Sequence, residues 1–354
     1  MSETTNIRLL SESELITALE RLGEKKFRAK QVYEWLWKKR AVSFTEMTNL
    51  SEKLRSSLEE RFFIAAASVD TFQKSNDKTI KDSFRLHDGS IVEGVLIPSN
   101  KRMTACISTQ VGCSLSCKFC ATGKLARKRN ISFDEIYDQV FLLNAQAKEH
   151  YNTHLSNVVY MGMGEPLLNY AHTLASIDKL TSEKGLGMSP KRITVSTAGI
   201  AKMIKKLGDD DVKFNLALSL HAANDVKRSE IMPINDGNSL DVLAEALEYF
   251  YYKTGTRVTY EYIIFKDFND SLKDAQELAT FCKVIPCKIN IIEYNSIGDK
   301  EFQQTSPEKL DAFVAHLESC NLIVNVRRSR GKDIDAACGQ LANKANKLNS
   351  AKSV

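Results

Sequence analysis

The amino-acid sequence predicts an α/β fold, a partial (β/α)6-type barrel with a small N-terminal helical domain and a β-rich connector. From about residue 102 onward, short runs rich in valine and isoleucine alternate with longer amphipathic segments. This repetition of strand–helix units is typical of buried parallel strands covered by helices. Six or seven such units favour a barrel over an open doubly wound sheet. The first hundred residues lack this alternation and predict a separate unit.

The N-terminal unit contains three helical patterns and then three strand patterns. The helices are predicted at 14–22, 28–39 and 51–62, and Ser11 and Ser13 are suitable N-caps for the first. The strands are predicted at 67–73, 78–86 and 91–98, with a hairpin turn at His87-Asp88-Gly89. These patterns predict a helical domain over residues 1–65 and a β-rich connector over residues 66–100.

The barrel core is predicted over residues 101–340, followed by a basic tail at 341–354. Its strands are predicted at 103–109, 157–161, 192–196, 213–220, 257–265, 288–294 and 322–328. The helical patterns between them include 133–149, 240–252 and 271–283. The tail contains Lys344, Lys347 and Lys352, and we expect it to fray.

Composition excludes several classes of protein. Hydrophobic residues make up 43% of the 354 residues and charged residues 26%, with a net charge of +5, which are ordinary values for a soluble globular protein. No stretch approaches the roughly 20 consecutive apolar residues that span a bilayer. The polar start, MSETTNIRLLSESEL, does not resemble a secretory signal. We therefore expect a cytoplasmic protein with no membrane partner.

Three of the eight cysteines lie within eight residues, as Cys113-Ser-Leu-Ser-Cys117-Lys-Phe-Cys120. Thiolates are soft ligands suited to iron–sulfur clusters and zinc. Three thiolates can hold three irons of a cubane and leave the fourth iron open to a small molecule. A structural zinc would need a fourth ligand, and the flanking residues offer no second CxxC or histidine pair. The spacing favours a cluster, with zinc or inert cysteines as alternatives.

Polar residues follow several of the predicted strands. Glycines and Glu165 occur in YMGMGEPLLN, where the backbone could approach a ligand and a carboxylate could bind an amino group. Ser196, Ser219-Leu220-His221 and Asn295 leave three further strands at the presumed mouth of the barrel, where active sites of such folds lie. Taken alone, the Glu165 segment is equally consistent with an ordinary strand-to-helix turn. A single polar residue at a strand end is more often a cap, and a single histidine such as His221 is more often structural.

A single cysteine, Cys338, lies in a segment of small residues near the end of the core, GKDIDAACGQ. An isolated cysteine among small residues is often inert packing, and a reactive thiol is the alternative. The pattern alone does not choose between the two.

Together, CxxxCxxC, GMGEPLLN and DIDAACGQL closely resemble the motifs of the RlmN/Cfr family of radical-SAM RNA methyltransferases. The resemblance extends over nearly the whole chain, and GEPLLN resembles the RlmN branch rather than the Cfr branch. RlmN enzymes make 2-methyladenosine at position 2503 of 23S rRNA and, in many bacteria, at adenosine 37 of certain tRNAs. Cfr enzymes methylate C8 of the same rRNA adenine. The resemblance thus implies a radical-SAM barrel and an RNA substrate.

The resemblance also implies the cofactors and the residues that hold them. Cys113, Cys117 and Cys120 match the ligands of one [4Fe–4S] cluster. S-adenosylmethionine (SAM) would be contacted at the matching positions, which are Gly164, Glu165, Ser196, Ser219, Leu220, His221 and Asn295.

Three further residues match family positions with roles in the reaction. Cys338 would be methylated by one SAM, and a 5′-deoxyadenosyl radical from a second SAM would take a hydrogen from that methyl group before it joins C2 of adenine. Cys106 matches the resolving cysteine, which forms a disulfide with Cys338 as RNA leaves. Glu93 matches the proposed proton acceptor, with a solvated strand-end glutamate as the alternative. The remaining cysteines match no role and are predicted to be structural, namely Cys282, Cys287 and Cys320.

The N-terminal helical domain is the predicted RNA-binding surface. The segment 23–40 sets seven bases against two acids, and these bases could neutralise phosphates: Lys25, Lys26, Arg28, Lys30, Lys38, Lys39 and Arg40. A merely solvated basic face is the alternative. Phe27, Trp35 or Trp37 could stack on bases. Their spacing also fits a helix core, which we expect at least for Trp35.

The resemblance predicts partners as well: 23S rRNA, tRNA and an electron donor such as flavodoxin or ferredoxin, with the chain acting as a monomer. Two alternatives stay open. One is a radical-SAM enzyme that acts on a peptide or small metabolite, and the other is a zinc-binding RNA module without enzymatic activity.

Overall fold

A computed structural model of the chain describes residues 4–100 and 102–343. The first part is the helical unit predicted from the sequence, with β1 (Thr5–Asn6), α1 (Glu12–Arg21), α2 (Phe27–Trp37), α3 (Glu52–Glu59) and β2 (Phe62–Phe63). Ser11 caps α1, because its hydroxyl accepts from Glu14 N at 3.2 Å while the Glu14 carboxylate accepts from Ser11 N at 2.8 Å. Ser51 caps α3 in the same way, accepting from Leu54 N at 3.2 Å.

The three predicted connector strands form an antiparallel meander. They are β3 (Ser68–Lys74), β4 (Ile80–Arg85) and β5 (Ile91–Ser99). The turn between β4 and β5 includes Gly89 at φ +80°, a left-handed conformation that favours glycine. The hairpin turn predicted at His87-Asp88-Gly89 is thus confirmed.

The barrel core repeats a strand and a helix along the chain. Its elements are β6 (Arg102–Cys106), β7 (Gln110–Val111), β8 (Arg129–Asn130), α4 (Phe133–Tyr151), β9 (Asn157–Tyr160), α5 (Tyr170–Thr181), β10 (Ile193–Thr197), α6 (Ala201–Asp209), β11 (Asn215–Ser219), α7 (Asp225–Ile231), α8 (Leu240–Thr254), β12 (Val258–Ile264), α9 (Leu272–Phe281), β13 (Cys287–Glu293), α10 (Pro307–Ser319) and β14 (Val324–Arg327).

Within the described residues, ten strands form one sheet in the order β14-β13-β12-β11-β10-β9-β6-β5-β4-β3. In this sheet, every neighbouring pair between β14 and β6 is parallel, and at least one helix connects the two strands of each such pair. Six such crossovers confirm the predicted partial (β/α)6-type barrel. Because β5 pairs with β6, the connector extends the barrel sheet. The predicted boundaries near residues 65, 100 and 340 stay predictions, and residues 344–354 of the tail lie outside the described residues.

No helix in residues 4–100 and 102–343 is both long enough and apolar enough to cross a bilayer.

The N-terminal domain packs on α4 through aromatic rings. Trp37 is fully buried between Phe133, stacked at 5.7 Å, and Tyr137, edge-on at 5.2 Å. It is therefore unavailable for stacking on RNA bases. Trp35 is only half-buried, and its indole N–H donates to Asn49 at 2.6 Å. The core tryptophan of this helix is chiefly Trp37 rather than Trp35, because Trp37 faces the barrel helix.

Asp138 on α4 binds two arginines of the N-terminal domain. Its carboxylate lies 2.9 Å from both Arg8 and Arg40 and accepts from Ala67 N at 2.8 Å. Arg8 and Asp138 are completely buried. Arg40 was predicted to contact RNA phosphates, but its guanidinium instead binds Asp138 and links this domain to the barrel.

We expect Asp138→Ala to lower the free energy of unfolding by about 3–5 kcal/mol, because it leaves buried guanidinium charge uncompensated. Urea unfolding of the full chain measures this loss. Glu52→Ala is the matched control, since Glu52 is exposed and forms only a weak contact with Arg55. Equal unfolding midpoints for the two variants would contradict a structural role for Asp138.

Candidate active site

The three cysteines of the CxxxCxxC motif lie on a closed loop between β7 and β8. Cys113, Cys117 and Cys120 line one cavity of about 170 Å³. The loop is closed by Cys113 N, which donates to Leu125 O at 3.2 Å. Gly112, at φ +77°, packs so closely that a Cβ would lie 2.3 Å from Ala126 O. The backbone therefore presents all three thiols to the same space.

Burial makes the thiols of Cys113 and Cys117 poor thiolates without a cationic neighbour. It raises the pKa of Cys113 to about 11, and it raises the pKa of Cys117 well above its ordinary value. A bound metal centre supplies the positive charge that favours the thiolate form. Among the described residues, no three histidine, cysteine or acidic side chains form a group that could hold one metal ion.

Glu165 follows β9 and faces the same cavity. Its carboxylate is buried and accepts backbone N–H groups of Leu167 at 2.9 Å and Ala198 at 2.8 Å. Burial raises its pKa, while these hydrogen bonds act in the opposite direction. Gly164, at φ +94°, lies against Gln110, where a Cβ would lie 2.4 Å from the Gln110 side chain. A fixed carboxylate of this kind suits recognition of an ammonium group.

The ends of β10 and β11 supply further polar groups to this cavity. Ser196 Oγ and Ser219 Oγ lie 3.3 Å apart and both residues line it. Leu220 is completely buried and is absent from the cavity lining, so its side chain offers no contact there. Its backbone instead binds Glu261 O and Arg228.

His221 also lines the cavity, in a left-handed backbone conformation at φ +57°. Its Nδ1 accepts from Ile263 N at 3.0 Å, which places the ring proton on Nε2. Burial, and secondarily the charge of Arg228, lowers its pKa to about 3. The imidazole is therefore neutral at physiological pH and is a hydrogen-bond donor rather than a cation.

Cys338 lies on an irregular segment, residues 331–343, that we call the Cys338 loop. The loop binds the cysteine-rich loop through Ala121 N to Gly339 O at 2.7 Å and through the Thr122 hydroxyl to Leu341 O at 2.6 Å. Asn295, predicted to contact SAM, instead donates to Cys338 O at 3.3 Å and does not line the cavity. These bonds hold Cys338 beside Cys120.

Cys338 borders two adjoining cavities. One is the cavity of the CxxxCxxC thiols, and the other, of about 420 Å³, is also lined by Cys106 at the end of β6. Burial raises the pKa of Cys106 to about 12, and the nearby Cys338 adds to this rise. Cys338 is exposed toward the cavity, and partial desolvation together with the nearby Glu261 raises the pKa of its thiol to about 11. Both thiols are free.

Glu93 lines neither cavity. Its carboxylate is buried, lies 3.7 Å from Lys81 and accepts from Ala342 N at 2.8 Å and Asn343 N at 3.1 Å. Its carboxylate thus contacts the backbone at the end of the Cys338 loop, and its strand position is two residues from Val95, the partner of Cys106. The other carboxylate oxygen, Oε1, has no hydrogen-bond partner among the described residues.

Known proteins match this chain over both of its parts. The N-terminal domain family of ribosomal RNA large subunit methyltransferases matches residues 5–64, and the radical SAM superfamily matches residues 107–280. A protein of Cytophaga hutchinsonii, named a probable dual-specificity RNA methyltransferase RlmN, is 62% identical over 336 residues, covering 95% of this chain and 92% of its own. The same name belongs to a Flavobacterium johnsoniae protein that is 56% identical over 97% of this chain and 98% of its own. The chain belongs to the RlmN family of RNA methyltransferases.

Solved structures agree with this membership. A radical SAM methyltransferase from Sphaerobacter thermophilus superposes with a TM-score of 0.90 at 37% identity, covering 95% of this chain and 99% of its own. RlmN enzymes are radical-SAM methyltransferases, which use a [4Fe–4S] cluster and SAM, and these are the cofactors of this chain. The three thiols on one loop and the adjoining fixed carboxylate suit this pair of cofactors chemically.

Two buried charged residues of the site carried no signal in the sequence. Arg228 on α7 donates to Ala198 O at 2.6 Å, to Leu220 O at 3.1 Å and to Asn235 Oδ1 at 2.7 Å. It therefore joins the ends of β10 and β11 beneath the cavity. Glu261 on β12 borders both cavities, and its carboxylate accepts from Asn290 at 2.8 Å. Burial raises the pKa of Glu261.

Proposed function

We propose that this RlmN-family enzyme methylates C2 of adenine 2503 in 23S rRNA, and adenine 37 of tRNA, through a methylated Cys338. The position of Cys338 is the observation that carries the proposal. It borders the cavity that contains the cluster cysteines and Glu165, and also the cavity that contains Cys106. One thiol can therefore receive a methyl group on one side and present it to a base on the other.

The chemistry of C2 explains why a radical enzyme is required. This carbon is electron-poor and bears hydrogen, so direct polar transfer from a methyl sulfonium is unfavourable. When bound, the cluster and SAM supply the one-electron chemistry and the methyl group, and the protein supplies binding and orientation. Flavodoxin or ferredoxin as electron donor, and a monomeric enzyme, complete the proposal.

Each site residue has a task that its surroundings support. Cys113, Cys117 and Cys120 would hold the cluster. Glu165 would accept a hydrogen bond from the SAM amino group, and His221 would donate from Nε2, since its pKa keeps it neutral. Ser196 and Ser219 offer hydroxyls in the same cavity. Leu220 can take part only through its backbone.

Cys338 and Cys106 would act in sequence. Cys338 would lose its thiol proton and take the first methyl group, and Cys106 would later attack the Cys338 sulfur to release RNA. For Glu93 we propose proton transfer only if the Cys338 loop moves, because its carboxylate is now bound to the backbone of that loop.

Nucleoside mass spectrometry after an anaerobic reaction tests this function. The reconstituted enzyme, SAM, a reductant and a protein-free 23S rRNA fragment are combined, with a tRNA pool in parallel. We expect 2-methyladenosine in both RNAs. 8-Methyladenosine would keep the mechanism and overturn the C2 assignment. SAM cleavage without methylation of either RNA would refute the proposed substrate.

A further inference from the structure

Four exposed arginines surround the cavity that contains Cys106 and Cys338. We call them the arginine cluster: Arg102, Arg327, Arg328 and Arg330. They come from the start of β6, the end of β14 and the segment that follows it. None of the four forms an ion pair with any residue in 4–100 or 102–343. Arg330 makes one long hydrogen bond, 3.4 Å to the neutral carbonyl of Asp77.

The cluster gives the cavity a strong excess of positive charge. Glu261 is the sole acidic residue among the described residues that line it, against four arginines. That carboxylate is buried, accepts from Asn290 and interacts electrostatically with Arg327, so the lining keeps an excess of three positive charges. Unpaired like charges gathered around one opening repel each other, and an anionic ligand relieves this repulsion. Guanidinium groups suit phosphate in particular, because their planar donors bind two oxygens at once.

We propose that the arginine cluster binds the RNA phosphates that flank the target adenine. This proposal rests on the proposed function, because it takes RNA as the substrate. The cavity of about 420 Å³ lies within the range of about 300–1,000 Å³ typical of ligand pockets, so it can admit a base beside Cys106 and Cys338. Phosphates of the same nucleotide and its neighbour then lie at the rim, where the arginines are.

The surface beyond the cavity indicates the course of the strand. Arg102 and Arg330 also line a neighbouring hollow of about 660 Å³, whose wall includes Lys78, His154 and Asp77, the last of which accepts from Gly331 N. The two hollows therefore meet at these arginines. An RNA strand that extends from one hollow to the other would therefore pass these two arginines.

The basic face predicted on the N-terminal domain is less suited to this task. Arg40 binds Asp138, Arg28 lies 3.6 Å from Glu24, and Lys26 lies 3.8 Å from Glu20. No residue of α2 lines either cavity of the site. This face can add affinity for a larger RNA, whereas the arginine cluster is next to the reacting sulfur atoms.

The test measures RNA binding by the reconstituted holoenzyme across a series of salt concentrations. The probes are a 23S rRNA fragment that contains the target adenine and a tRNA pool. We expect R328Q/R330Q to weaken binding at least about tenfold at low salt. The slope of log Kd plotted against the logarithm of the salt concentration should fall by about 1.4, as expected for two lost phosphate contacts. Each of the two lost single-strand phosphate contacts contributes roughly 0.7 to this slope. R328K/R330K should restore most of the slope, since lysine keeps the charge.

Two control variants separate this surface from others. K191Q/R192Q removes an adjacent basic pair, next to the start of β10, that lines neither cavity, and its Kd should equal that of the wild type. K25Q/K26Q/K30Q removes charge from the N-terminal face. Tm values compare the folding of all variants.

Each other result has a definite meaning. If the wild type binds RNA and R328Q/R330Q binds with unchanged Kd and slope, the proposed surface is wrong. The same holds if only K25Q/K26Q/K30Q loses affinity. R328Q/R330Q could instead keep its RNA affinity but lose SAM cleavage when flavodoxin is the reductant. The arginine cluster would then bind the acidic electron donor rather than RNA, and the proposal would be wrong. A wild-type holoenzyme that binds neither RNA would instead refute the proposed function.

Discussion

Cys338→Ala is expected to abolish RNA methylation, lowering the yield of 2-methyladenosine by at least about a thousandfold. The variant lacks the sulfur that would accept the methyl group and present it to the base, and removal of a covalent nucleophile has effects of at least this size. Alanine fits the small-residue loop, because the loop is held by its backbone carbonyls, which accept from Ala121 N, the Thr122 hydroxyl and the Asn295 amide. The fold and the cluster loop should therefore persist.

The measurement pairs nucleoside analysis of the RNA with intact-mass analysis of the protein. After incubation with SAM without RNA, the wild type should carry one additional methyl group and the variant none. Cys320→Ala is the matched control, since Cys320 is half-buried at the end of α10 and lines neither cavity. Normal methylation of RNA by the Cys338 variant would exclude the methylated-cysteine route.

The second large effect is a covalent protein–RNA species trapped by Cys106→Ala. In the wild type, attack of the Cys106 sulfur on the Cys338 sulfur would break the bond that holds RNA to the protein. Both residues line the cavity of about 420 Å³, and Cys338 is near enough to contribute to the raised pKa of Cys106. Without Cys106, product should stay attached, and free methylated RNA should fall to well below one molecule per enzyme.

A denaturing gel followed by nuclease digestion and mass analysis would detect the attached RNA at Cys338. Cys106→Ser serves as a second variant, because it keeps a polar group of similar size but cannot form a disulfide. Combining Cys106→Ala with Cys338→Ala should eliminate the attached species. Release of methylated RNA at the normal yield by Cys106→Ala would remove Cys106 from the resolving role.

Much of the fold followed from local patterns in the sequence. Buried strands of β-branched residues alternate with amphipathic helices, so the strands, the helices and the partial barrel could be predicted with boundaries a few residues off, whereas the joining of the connector to the barrel sheet was not predicted. Strand β6, for example, ends at Cys106 rather than at Thr109, because the chain there leaves the sheet toward the cysteine-rich loop. The barrel topology also places the carboxyl ends of parallel strands together. Ser196, Ser219 and His221 therefore line one cavity, as expected from the sequence.

The features that were not predicted depend on contacts between distant segments. The Cys338 loop has no regular pattern, so its return to Glu93, about 250 positions away, leaves no local signal. Arg40 belongs to the run of bases predicted to bind RNA phosphates, with a solvated face as the alternative, yet Arg40 itself binds Asp138 inside the protein. Glu261 lies in an apolar strand, and only the register against Ser219 and Asn290 places it between the two cavities.

The pairing of β5 with β6 makes the connector part of the active-site wall, which constrains how enzymes of this family can diverge. Val95 and Ile97 of β5 form part of the wall beside Cys106, while Glu93 of the same strand holds the far end of the Cys338 loop. The connector and the C-terminal segment thus depend on each other, although nearly 250 residues separate them. Exchanging either one between distant relatives would mismatch the other. Successful chimeras should therefore inherit both segments from one parent, and substitutions in the two should co-vary.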